Sequence, residues 1–323
     1  MKRFKIAVLI LGMLFPICGN ATPPVIESNA YWVTTKTWTN AYENLIRVKA
    51  VAEGVAYIAP LKGNGLRDRL HKNKARDTIV FIPKNATFKK SLDIIFYFHG
   101  LGGFKERDFK TRVLRHTKSF SLEKNYIIVV AEMPWSKNTS TPRSRQGRVF
   151  TGKNQFSDFV GSVLDVAKVH FKSTCKQTCP YLPYSHPTRN LAVDSVSLIG
   201  HSAGGSALMS ISRSGGLNWL EDVAKVKTLK VIFSDASYGY WLDTAWKHFK
   251  PKTDISINFI VLTRKFDKPY RNAKRFLKRF KITPQNITHH VFNRRTTHAD
   301  IGDQSLIWVY LSDESGCGEG EIE

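Results

Sequence analysis

The sequence predicts an α/β protein on a doubly wound, mostly parallel sheet. Three observations point there. Apolar runs at 91–98, 126–131, 196–200, 229–235, 255–262 and 287–292 alternate with stretches of helical pattern, as in a chain of βα units. Several of these runs are apolar on both faces, the mark of strands covered from two sides. His, Ser and Asp residues recur just past the ends of the runs, where open parallel sheets gather their functional groups. A chain of 323 residues can bury a sizeable core, and neither an internal repeat nor a dividing linker is visible. The division expected is a leader at 1–21, one domain at 22–312 and an acidic tail at 313–323.

The elements come in this order. Residues 1–5 are basic, 6–17 are almost continuously apolar, and Gly19-Asn20-Ala21 has the small residues of a cleavage site. This is the pattern of a secretory signal peptide, too short to span a bilayer comfortably, and it predicts a secreted or periplasmic protein cut near Ala21. Residues 22–75 carry a weak pattern, with one or two edge strands expected within 45–58. Residues 78–83 read as a strand stopped by Pro83. The run at 91–98 enters His99-Gly100-Leu101-Gly102-Gly103, and a helix is expected over 106–120. Residues 134–154 are polar and basic, a surface loop whose 135–150 part could cover a cleft with Lys137, Arg143, Arg145 and Arg148. Phe156, Phe159, Val160, Val163, Leu164, Val166 and Ala167 have helical spacing over 156–171. Further helices are expected at 219–226, 238–249, 270–280 and 305–311.

Cys175 and Cys179 lie four apart, and in an oxidising compartment a local disulfide is the natural reading. A metal site would need more ligands than that stretch offers, and no metal or organic cofactor is implied. Lys and Arg number 49 against 26 Asp and Glu. Loss of the leader removes three basic residues and no acid, which leaves about +20. Such a field suits an anionic membrane or cell-wall surface, or simply solubility. No RNA- or DNA-binding motif is present, so specific nucleic-acid binding is not expected, and oligomeric state is not legible.

The chemistry concentrates at Gly200-His201-Ser202-Ala203-Gly204. An apolar run, small residues and then a helical stretch describe a strand, a tight turn and a helix with Ser202 at the apex. G-x-S-x-G alone is common enough that its partners have to decide. A serine hydroxyl needs a histidine to take its proton, and the histidine needs a carboxylate. The chain order Ser…Asp…His is met by Ser202, Asp267 and His298. Asp235 is the alternative acid, and Asp300 and Asp254 are remoter ones.

From about 93 to 303 the chain resembles the α/β-hydrolase superfamily. Gly200–Gly204 resembles its nucleophile elbow, His99–Gly103 its HG-type oxyanion loop, and Asn293–His298 the late loop that delivers the histidine. The resemblance implies an esterase or lipase-like serine hydrolase acting on a small-molecule or lipid ester, without a large lid domain. It makes Ser202 the nucleophile and His298 the general base. The oxyanion donors would be the amides of Ala203 and of Leu101 or Gly102. Asp267 occupies the family's commonest acid position. His99, Tyr238 and Trp241 are expected to flank the substrate, with His289 and His290 in structural roles. An amidase or peptidase would use the same triad. A protein of another class, a non-catalytic binder of envelope or polyanion, could keep the fold without turnover.

Overall fold

The computed structural model describes residues 33–35, 46–60, 77–86, 92–101, 105–117, 125–133, 149–175, 193–215, 217–223, 226–249, 255–281 and 287–309. Its centre is the run of apolar strands predicted above: β5 (Leu92–Phe98), β6 (Tyr126–Ala131), β7 (Val193–His201), β8 (Thr228–Ser234), β9 (Ser256–Arg264) and β10 (Ile287–Phe292). These six pair in parallel in the order β6-β5-β7-β8-β9-β10. On the β6 side, β4 (Asp77–Pro83) joins antiparallel and is extended by β3 (Gly54–Pro60), β2 (Ile46–Val51) and the short β1 (Val33–Thr35). The result is a ten-stranded α/β-hydrolase fold, mixed at one end and parallel where the site forms. The edge strands expected within 45–58 are β2 and β3.

Alternate side chains of each parallel strand serve two cores. Ile94, Phe96 and Phe98 of β5 face a layer that includes Phe156 and Phe159 of α3 (Gln155–Cys175) and Ala207 and Leu208 of α4 (Gly205–Gly215). The same layer holds Leu220 of α5 (Asn218–Val223), Leu242 of α6 (Trp241–His248) and Phe276 of α7 (Lys268–Phe280). Ile95 and Tyr97 face the other way, onto Phe109, Val113 and Ile301. Helices on both faces explain why these strands read as continuous apolar runs.

Three segments depart from expectation. The helix expected over 106–120 is α1 (Lys105–Asp108), a π-helical segment (Phe109–Leu114) and α2 (Arg115–Thr117). The stretch expected as surface loop to 154 ends in the core, where Val149 and Phe150 are fully buried. Phe150 takes a left-handed backbone, φ 52°, and packs edge-on against Phe98 and Phe156. Burying a phenylalanine contributes about 2–3 kcal/mol, more than the ~1–2 kcal/mol that a left-handed L-residue costs. A helix not expected from the sequence, α8 (His298–Gln304), precedes the one expected over 305–311; of that stretch 305–307 are turn, 308–309 are helical and 310–311 lie outside the described residues. The Cys175–Cys179 pairing, the cleft cover at 135–148, the leader and the acidic tail fall outside the described residues.

Candidate active site

Register brings the carboxyl ends of the parallel strands level. Phe98 pairs with Gly200, His201 with Ser234, and Ser234 with Leu262. The turns that leave these strands therefore emerge along one edge of the sheet.

After β7 the chain turns sharply through a 3-10 segment, Ser202–Gly204, into α4. Ser202 sits at φ 54°, a left-handed conformation that its own Cβ disfavours by ~1–2 kcal/mol. The neighbouring glycines hold it there by letting backbones touch. A Cβ at Gly204 would collide with the carbonyl oxygen of Phe98, and one at Gly100 would lie 2.8 Å from Cβ of Ser202. The loop after β5 is thus pressed directly onto the elbow. Leu101 lies on that loop with its side chain about half exposed. Gly102 is outside the described residues.

After β8 the chain makes a second left-handed turn, at Asp235 (φ 45°), whose amide donates to the Leu262 carbonyl at 2.8 Å. This turn buries the Asp235 carboxylate, which is 1% exposed. Its Oδ2 accepts Nδ1–H of His298 at 2.5 Å, and Oδ1 is buried with no hydrogen-bond partner among the described residues. Among those residues the histidine is then the single side-chain hydrogen-bond donor to this carboxylate, a short charge-assisted contact. The Nε2 edge of His298, whose side chain is 39% exposed, is left for chemistry.

Asp267 is the acid expected from the sequence, and the geometry gives the position to Asp235 instead. Asp267 is the N-cap residue of α7, and its Oδ2 is held 2.6 Å from a guanidinium nitrogen of Arg264. The reason is backbone direction: the third turn places Phe266, not the acid, in the left-handed conformation, at φ 71°. Asp300 is also accounted for. Its carboxylate accepts the amide of Thr297 at 2.8 Å and the Thr297 hydroxyl at 2.7 Å, closing a capping box at the start of α8. Those bonds from Thr297 hold the Asp300 carboxyl below its ordinary range. His298 is accordingly the first residue of a capped helix and not a loop residue. Asp254 lies outside the described residues.

Behind His298 stands a buried network that sequence reasoning misses. His201 donates Nε2–H to the His298 carbonyl at 3.0 Å, and the two rings lie 4.5 Å apart. Burial, followed by the nearby Arg112 and His298, pushes His201 well below the usual histidine range. It therefore stays neutral and adds no cation beside His298. Arg112, on the π-helical segment, lies 3.3 Å from both Asp108 and Asp303 and donates to the Tyr97 hydroxyl at 2.5 Å. Asp303 belongs to α8, so this ion pair ties the helix that carries His298 to the π-helical segment. Gly302 lets it approach: a Cβ there would collide with a guanidinium nitrogen of Arg112. Ser234 adds a bond to the Ile301 carbonyl at 3.1 Å. An acid and a base four apart on a helix, Asp108 and Arg112, and the Thr297-x-x-Asp300 pattern were the available signals.

The expected substrate-flanking residues separate. His99 is fully buried. Its Nδ1–H donates to the Gly100 carbonyl at 2.9 Å, and its Nε2 accepts the amide of Met133 at 2.9 Å. It shapes the loop and presents no surface to a ligand, which corrects the expectation. Tyr238 comes near the elbow: it lies on the turn after β8, three residues past Asp235, and Ser202 is among the groups that act on its phenol. Burial first, and then Asp235, raises its pKa above the ordinary tyrosine value, so it is a neutral hydroxyl. Trp241 packs edge-on to Tyr238 at 5.7 Å and lies against Gly205. His289 and His290 are away from the site: Nε2 of His289 bonds the Thr263 hydroxyl at 2.9 Å, and His290 packs on Phe292 and Trp308. Among the described residues no group of three or more His, Cys, Asp or Glu could hold a metal ion.

No family model matches the sequence, and no curated protein matches it. Solved structures are similar in architecture. An esterase from Pyrobaculum calidifontis shares 12% identity over 74% of this chain and 80% of its own, with a TM-score of 0.41. The feruloyl esterase module from Clostridium thermocellum, solved with sinapinate, shares 13% identity over 87% of this chain and 98% of its own, with a TM-score of 0.41. Brefeldin A esterase, described as a bacterial homologue of human hormone-sensitive lipase, shares 15% identity over 75% of this chain and 71% of its own, with a TM-score of 0.39. Likeness of this extent says nothing of the reaction, which has to be read from the residues.

Proposed function

We propose that the chain is a serine hydrolase that cleaves carboxylic esters through Ser202, His298 and Asp235 by way of a covalent acyl-enzyme. The observation that carries the reading is the 2.5 Å bond between His298 Nδ1–H and Asp235, set against a serine in a left-handed elbow. Asp235 fixes the tautomer in which Nε2 of His298 lacks a proton and can accept one.

The reaction begins with the Ser202 hydroxyl donating to Nε2 of His298. Oγ attacks the ester carbonyl while Nε2 takes the hydroxyl proton. The imidazolium so formed is stabilised by Asp235 and returns that proton to the departing alkoxide as the C–O bond breaks. Water then attacks the acyl-enzyme, with the same nitrogen as base, and releases the acid and free Ser202. The oxyanion lies between the Ala203 amide, at the start of the 3-10 segment, and the Leu101 amide on the loop pressed against the serine. Each such donor is typically worth about 3 kcal/mol in the transition state. The Tyr238 phenol and Trp241 border the pocket on the side of the turn after β8. The leader-like pattern of residues 1–21 supports an exported protein.

A fluorophosphonate probe tests this directly. Wild type is expected to label at one site, and Ser202→Ala not at all. A folded wild-type chain that fails to label would overturn the reading. Parallel assay of aryl esters and aryl amides then fixes the bond, with esters expected to turn over faster.

A further inference from the structure

Three successive strands end in left-handed L-residues: Ser202 after β7, Asp235 after β8 and Phe266 after β9. The first two have the chemical employment described above. The third has none. Phe266 is 53% exposed, and a bulky residue at φ 71° is a genuine outlier where glycine or asparagine would be unstrained. Here strain holds an apolar ring out in solvent rather than in a core.

Its surroundings are cationic. Lys265 lies 5.4 Å and Arg294 5.0 Å from the centre of its ring. Tyr270 touches it edge-on at 6.3 Å and carries Lys274 at 5.5 Å. The adjacent Arg275 sits 5.5 Å from Tyr240, which is 65% exposed, and donates to the Gly239 carbonyl at 3.1 Å. These contacts form one belt from Tyr240 across the exposed face of α7 to Phe266. The carboxylates bordering it are occupied, Asp267 by Arg264 and Asp243 by Arg279. Lys265, Arg271, Lys274, Arg275 and Arg294 are exposed, and among the described residues none of them is in an ion pair. The belt also lies beside the site. Asn272 of α7 donates to the Ser237 carbonyl at 2.7 Å and Arg275 to the Gly239 carbonyl, the residues on either side of Tyr238.

We propose that this belt docks the protein on the surface of an anionic phospholipid bilayer. Phe266 and Tyr240 enter the headgroup boundary, and the five cations pair with lipid phosphates. A soluble polyanion or wall polymer would satisfy the cations but offers no apolar phase to receive two exposed rings, so bilayer is the occupant that uses both features. A cation near an anionic leaflet contributes about fivefold in affinity, and the net charge of +23 supplies the approach.

The test is co-sedimentation of the full chain with vesicles of equal parts phosphatidylglycerol and phosphatidylcholine. Wild type and Ser202→Ala are expected to bind alike, which separates docking from turnover. Phe266→Gly combined with Tyr240→Ser should lose at least tenfold in vesicle affinity while hydrolysis of a short soluble ester is unchanged. Glycine relieves the strained backbone, so this variant is not expected to misfold. Arg275→Gln with Arg294→Gln should lose a similar factor and the salt sensitivity with it. A Tyr240→Trp variant should shift its emission to shorter wavelength on these vesicles and not on phosphatidylcholine alone. The proposal is overturned if wild type stays in the supernatant. It is equally overturned if the aromatic double variant sediments like wild type, or if polyphosphate binds with the same dependence on the cations and the rings make no difference.

Discussion

The turns after β8 and β9 are built from the same parts and arrive at opposite ends. Each succeeds an apolar parallel strand, includes one left-handed residue other than glycine and carries one aspartate. After β8 the left-handed residue is the aspartate itself, and its carboxylate turns into the protein, 1% exposed, onto His298. After β9 the left-handed residue is Phe266, and Asp267 comes one position later at the helix start, 31% exposed, on Arg264. A shift of one residue between the acid and the strained position decides whether a carboxylate serves a histidine or a surface arginine. Position after a strand end nominates an acid; the local φ selects it.

The sharpest way to break this comparison is to neutralise each acid in turn. Asp235→Asn is expected to lower kcat by about 10⁴-fold with the fold intact, because the amide can present the wrong hydrogen-bonding face to Nδ1. Asp267→Asn should leave kcat within about threefold, since it removes only a partly exposed ion pair. Steady-state assay of both variants on one ester decides it, and the opposite ranking would return the role to Asp267.

Acid should load the flanks of the sheet as well as its middle, where burial already holds His201 well below the usual histidine range. His289, on β10 beside the outer turn, is lowered to about 4 by burial, and then by His290 and Lys274. His170 of α3, bonded to the Tyr57 hydroxyl at 2.7 Å, is likewise lowered to about 4 by burial. A histidine whose folded pKa lies below its unfolded value takes up a proton on unfolding. Its contribution is therefore fully present above about pH 6.5 and is lost as the pH falls toward 4. Allowing for their partial exposure, the two together should cost on the order of a few kcal/mol by pH 4. Urea midpoints measured between pH 7 and 4 are expected to fall, and His289→Gln should flatten the slope. An unchanged slope in that variant would place the acid sensitivity elsewhere.

The smallest effect concerns the strained ring. Phe266→Gly should raise stability by about 1 kcal/mol through relief of the left-handed backbone, less whatever the two cation contacts contribute. Thermal melting reads this directly. The matching Asp235→Gly change should bring no such gain, because it strips His298 of its partner.

Much of this was legible in one dimension. The six parallel strands announced themselves because two-sided burial writes continuous apolar runs, as in β5 and β8. Ser202 was legible because close backbone approach demands Gly100, Gly200 and Gly204 around it. The acid was not, because Asp235 and Asp267 differ in backbone twist and depth, which spacing does not record. His99 looked like a cleft residue, yet both its nitrogens are spent on the backbone of its own loop and of Met133. Arg112 is not singled out by any pattern in the sequence beyond its four-residue spacing from Asp108. Its burial depends on a π-helical turn and on Gly302, a partner 190 positions away, which no local window connects.

The contact between Gly204 and the carbonyl of Phe98 has a consequence for how the protein fails. Ser202, the loop after β5 and two central strands meet at van der Waals distance, with no slack in which one could melt ahead of another. Heat inactivation should then coincide with collapse of the sheet, so that residual turnover in a warmed sample counts folded molecules. A site hung on a pliant surface loop would fade well before the melting point; this one is built to fail with its sheet, all at once.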